Sequence, residues 1–194
     1  HFRSYSFDYV LTVSPNTEVL GELLGTTGQV GPQTVSALQA KTPGAEIKTG
    51  KGSAYLIMDT RRFSQYTISE LRMEHSYGTG PINNPTVPVN TTHMTVIDTT
   101  GAFFSMLMTL FKEKMKSSRA SAFFLLSIIW VGHKDDGSTE VISTCNIPLL
   151  LILMSFTTDE RGSEYEIEFM ETEGAPPPGG GNESLNYIGS AMTI

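Results

Sequence analysis

Charge is scarce in this chain. Asp, Glu, Lys and Arg together make up 17% of its 194 residues, against about 25% in an average globular protein. A surface with so few charges argues against long exposed helices and for strands joined by Gly-, Thr- and Ser-rich turns. Basic residues are the scarcer sign, leaving a net charge of −7. That excludes a general nucleic-acid binder, which needs a basic stripe to neutralise phosphates. The one local cluster, Lys112, Lys114, Lys116 and Arg119, falls at the end of a predicted helix, where cations complement the helix dipole. Cysteine occurs once, as Cys145, so an internal disulfide is impossible and a reducing compartment suffices. With no base near it in sequence, Cys145 reads as a small buried apolar residue. Long hydrophobic runs are missing too. The two most apolar stretches, 122–131 and 147–156, are half the length of about 20 residues that a membrane-spanning helix requires. No targeting segment is legible at the start of the chain.

What the chain has is β-branched and aromatic residues in short runs. Ser6–Val13, Gly52–Thr60, Gln65–His75 and His93–Asp98 read as strands. Within Gln65–His75 the apolar parity switches from Tyr66 and Ile68 to Leu71 and Met73, the signature of a β-bulge. Thr99 or Thr100 is positioned to cap a helix running from Gly101 to about Lys116, apolar around most of its first two turns. Ala122–Val131 and Ile147–Thr157 are apolar on both faces and read as interior strands, with Asp136-Gly137 marking a hairpin turn before a separate partner strand, Thr139–Cys145. Ser163–Met170 alternates strictly: Tyr165, Ile167 and Phe169 on one face, Glu164, Glu166 and Glu168 on the other. Between these lie two long Gly/Pro-rich stretches, Asn16–Gly44 (with a helical turn at Glu18–Leu24) and Ser76–Thr92, expected to be loops that carry partner contacts.

The expected fold is mainly β: an antiparallel β-barrel or sandwich with one flanking α-helix. It spans residues 1–173 as one domain, with long loops at 16–44 and 76–92. Residues 174–194 form a Pro/Gly linker and an extension in which Leu185–Ile194 reads as a short strand.

Motifs for chemistry fail one by one. Thr49–Ser53 (TGKGS) lacks the spacing of a phosphate-binding loop and reads as a turn before a strand. His1, His75, His93 and His133 form no ligand pair, and Cys145 completes no zinc set. Asp135-Asp136-Gly137 lacks the later ligands of a calcium loop. The glutamates of 164–168 alternate on an outward strand face, where carboxylates stay solvated. No catalytic, cofactor-binding or metal-binding residue is therefore assigned, no cofactor is expected, and the chain reads as a non-enzyme. The apolar material is the remaining clue: two two-faced strands and a helix apolar nearly all round ask for more cover than one domain of this size supplies, which points to an assembly.

Three segments in order carry a family resemblance: Met94–Phe104 (MTVIDTTGAFF) leading into the helix, Ala122–Gly132 (AFFLLSIIWVG), and Ile147–Met170 with its opening Ile-Pro and closing Tyr-x-Ile-x-Phe. Over residues 94–170 the chain resembles the hub proteins of bacteriophage tail baseplates, built from tail-tube-like β-barrels. The resemblance implies a structural virion protein, assembled in the host bacterial cytoplasm. It implies a homotrimer whose barrels form a pseudo-sixfold ring between the tail tube and the central spike, with no membrane, no specific nucleic acid, and a channel through which the genome passes. The alternative reading is a non-catalytic β-barrel or sandwich that binds a carbohydrate or a receptor. Against it stands the single Trp, Trp130, in the most buried-looking strand.

Overall fold

The computed structural model describes residues 1–24, 42–61, 65–76, 89–115 and 122–172. Eight strands run in chain order: β1 (Phe2–Ser14), β2 (Glu46–Thr49), β3 (Gly52–Asp59), β4 (Tyr66–Ser76), β5 (Val89–Asp98), β6 (Phe123–Lys134), β7 (Thr139–Asp159) and β8 (Gly162–Glu171). Among the described residues two α-helices interrupt them, α1 (Thr17–Leu24) after β1 and α2 (Ala102–Thr109) after β5. The strands form one antiparallel sheet in the order β2-β3-β1-β6-β7-β8-β5-β4. The mainly-β class with a flanking helix stands. The barrel does not close, because β2 and β4 are sheet edges.

The sheet folds around α2. Its inner face contributes Leu11, Val13, Ile57, Phe124, Leu126, Leu149, Ile167 and Phe169, which pack with Phe103, Leu107, Leu110 and Phe111 from the helical segment. Phe103 is fully buried, its ring against Tyr66 on one side and Tyr165 on the other. This explains why α2 is apolar nearly all round: strands from both halves of the sheet meet it. A second core lies on the outer face, where Val19, Leu20 and Leu23 of α1 cover Val10, Leu56, Leu125 and Ile129. The two-faced apolarity of β6 is thus satisfied by one helix on each side.

Local chemistry sets the boundaries. Asn16 starts α1 by accepting the Val19 N–H at its side-chain oxygen (2.9 Å). At α2 the Thr100 hydroxyl accepts the Ala102 N–H (3.3 Å), in line with the expected threonine cap, and the larger share of the capping falls to Asp98. This fully buried carboxylate accepts from the Phe103 N–H (2.8 Å) and from the Thr100 N–H and hydroxyl (2.8 and 2.7 Å). Gly101 stands between them at φ 70°, a left-handed turn that glycine adopts freely. The helix is shorter than expected. After Thr109 it widens into a π-helical turn, Leu110–Lys114, which turns Leu110, Phe111 and Met115 into the core.

The strands are longer than the sequence suggested. β5 begins at Val89, inside the stretch read as a loop, and β2 was not foreseen: it closes a tight hairpin with β3 at Thr49–Gly52, the turn read at TGKGS. The bulge expected in β4 is present, with a register shift between Ile68 and Glu70. The separate strands at 139–145 and 147–157 are one, the 21-residue β7. The 25–41 and 77–88 parts of the expected loops, and the linker and extension from 174, lie outside the described residues.

Candidate assembly surface

β7 changes partners along its length. Thr139–Leu150 pairs with β6, whereas Leu149–Asp159 pairs with β8. Pro148 sits at the handover. The Thr172 N–H donates to its carbonyl (2.9 Å), but proline has no N–H to return, so the β8 ladder ends there. β1 is divided in the same way: β6 pairs with it from Phe2 to Ser14, β3 only from Val10 to Val13. The consequence is a three-stranded arm, residues 2–8, 128–134 and 139–145. Among the described residues, no strand pairs with its outer edges.

The inner face of this arm is aromatic. The Trp130 ring lies 5.5 Å from Tyr5 and 6.3 Å from Phe7 between centroids, and Phe2 continues the row 5.7 Å from Tyr5. Gly132 leaves room for Phe2, since a Cβ at 132 would stand 2.5 Å from that ring. Tyr5 and Phe7 are 54% and 40% exposed, and Val141 and Ile142 on the neighbouring strand are 56% and 39% exposed. The Trp130 indole N–H is buried with no acceptor among the described residues, a donor that an incoming group would satisfy. The sequence puts Trp130 in the most buried-looking strand. Its strand is buried at the Phe124 end and emerges at the Trp130 end, a gradient that apolarity alone does not encode.

A second apolar patch lies on the far half of β7. Ile152, Leu153 and Phe156 are each more than half exposed, with Met170 beside them on β8. This half was expected to be interior; it is covered on one edge only, by β8. Phe156 leans on Phe104 and Tyr165 (5.4 and 5.6 Å) and so extends the inner core to the surface. Cys145 is exposed, not buried, because it lies on the arm. Desolvation, with the charge of Glu171 adding to it, raises its thiol pKa.

The outer face of the arm carries polar groups that sequence spacing did not bring together. The Ser6 hydroxyl and His133 Nε2 are 2.8 Å apart. Nearby, Asp59 is fully buried and holds Arg61 through two hydrogen bonds of 2.8 and 2.7 Å. Burial, partly offset by Arg61, raises the pKa of Asp8. A serine, a histidine and an aspartate thus share one strand pair, yet no bond from Asp8 to the ring is present to orient it as nucleophilic catalysis requires. The cavity at the centre of the fold is about 10 Å³ and lined by Leu11, Phe103, Phe124 and other apolar side chains, so it offers a substrate nothing polar to engage. Among the described residues no three His, Cys, Asp or Glu are grouped to hold a metal ion, and no helix is long and apolar enough to cross a membrane.

Comparison with protein families, with curated proteins and with solved structures returns no match for the chain.

Proposed function

We propose that this chain is a non-catalytic assembly module, a component of a phage baseplate hub that forms a homotrimeric ring between the tail tube and the central spike. The observation that carries the assembly reading is the three-stranded arm. It presents a row of aromatic rings on one face and an unpaired strand edge at residues 2–8. Aromatic anchors around a buried, unsatisfied donor are what a protein interface concentrates, and an unprotected edge invites another strand. The hub identity rests on the sequence resemblance over residues 94–170. The exposed glutamates 164 and 166, on the face of β8 away from the core, suit a channel that DNA traverses, because carboxylates do not hold phosphates. Head-to-tail contacts through the arm generate a ring where the rotation closes. The test is a paired substitution, Tyr5→Ser with Phe7→Ser, followed by native mass spectrometry. Loss of the trimer with an unchanged melting temperature supports the reading; a trimer that persists refutes the arm as its interface.

A second reading is favoured by the same rings. Clustered exposed aromatics are what a carbohydrate-binding surface offers, and Tyr5, Phe7 and Trp130 form such a cluster. Titrating the indole fluorescence of Trp130 with oligosaccharides separates the two: saturable quenching favours sugar binding, and none favours assembly.

A further inference from the structure

We infer that residues 185–194 of the chain dock on its own β7, adding a strand to the edge at Thr139–Cys145. The inference stands apart from the assembly proposed above, which uses the aromatic face and the β1 edge.

Three observations lead to it. First, the edge is open among the described residues: β7 pairs with β6 along Thr139–Leu150, but β8 accompanies it only from Leu149 onward. It carries a single charged residue, Glu140, and neither lysine nor proline between Thr139 and Cys145. Natural edges of that length are normally blunted by such residues or covered. Second, the chain leaves the sheet beside this edge. The Thr172 N–H bonds to the Pro148 carbonyl (2.9 Å), so the remaining 22 residues start within a few residues of the vacant stretch. Third, the composition of those residues divides them in two. Pro176, Pro177 and Pro178 cannot donate to a ladder, which stops β8 from simply running on along β7. Gly179–Gly181 then let the chain return, and Leu185, Tyr187, Ile188, Met192 and Ile194 supply apolar side chains to a final strand. A Gly-rich stretch of the length of 173–184 has a typical end-to-end reach of roughly 20 Å. A strand of seven residues is about 23 Å long. The segment therefore reaches its own edge at high effective concentration, and antiparallel entry from the Pro148 end needs no chain crossing.

The native thiol makes this testable in the full-length protein. Cys145 lies on the proposed edge and is the chain's only cysteine. Single cysteines are introduced in turn at positions 185–193 (Leu185→Cys, Asn186→Cys and onward), and each variant is oxidised mildly. Docking predicts intramolecular cross-links that rise and fall with alternate residues near one register. Uniform cross-linking at every position, none at any, or cross-links only between chains would overturn it. Hydrogen exchange gives an independent reading without oxidation. Leu185→Asp with Ile188→Asp should speed exchange of the 139–145 amides by about tenfold while leaving 123–130 unchanged; unchanged exchange at 139–145 would overturn the inference as well.

Discussion

Asp98 shows how much one side chain can decide. Its carboxylate, with no exposure to solvent, satisfies two backbone N–H groups and a hydroxyl where β5 turns into α2. Asp98→Ala leaves those donors buried without an acceptor and should cost about 2–4 kcal/mol, read from urea denaturation; Asp98→Asn, which keeps one acceptor oxygen, should cost less. Asp8 works in the opposite direction. Burial raises its pKa, so the native state holds the proton more tightly than the unfolded chain. Its contribution to stability is then lost as pH rises from the ordinary carboxyl value of 3.8 through the raised native value. Asp8→Asn should stabilise the protein at pH 7 and make no difference below pH 3.8; thermal melts at the two pH values check the sign. At this scale the sequence was a partial guide. Tyr165, Ile167 and Phe169 are buried and Glu164 and Glu166 exposed, as their alternation required. Cys145, expected to be buried, is exposed, because burial at the end of a strand depends on which neighbours reach that far. The Ser6–His133 contact could not be foreseen, since 127 residues separate the pair.

Among the elements, β7 is the one whose length matters most. Read from sequence, it was two strands with a break near Pro148; in the fold it is continuous, because the proline falls where one partner takes over from the other. The apolar run that looked interior is fully buried only to Leu149; beyond it Leu151 and Met154 still pack on the core, whereas Ile152, Leu153 and Phe156 emerge past the end of the β6 pairing at Phe123. Ile152→Thr with Leu153→Thr should therefore change stability by less than about 1 kcal/mol and improve solubility, whereas Phe124→Asp, at 2% exposure, should abolish soluble expression, since an unpaired buried charge costs several kcal/mol. Expression and melting of the two variants side by side distinguish surface from core along neighbouring strands. The two-faced pattern of β6 was legible because both faces are covered, by α1 and α2. β2 was missed because a four-residue strand at a hairpin edge carries too little pattern to stand out.

Across the whole molecule, a well-packed body ends in an arm that is aromatic on one face and unpaired along its edge. In the body, α1 and α2 cover both faces of the sheet half built from β1, β3 and β6. The arm leaves Tyr5, Phe7, Val141 and Ile142 in water, a concentration of apolar surface that monomers seldom keep. Whether this arm joins copies of the chain into a ring, as we propose, is read from sedimentation velocity at micromolar concentration. The expected species holds three copies of the 21.2 kDa chain and falls to one copy in the Tyr5→Ser, Phe7→Ser variant. A closed twofold dimer, or a monomer at every concentration for both proteins, would contradict it.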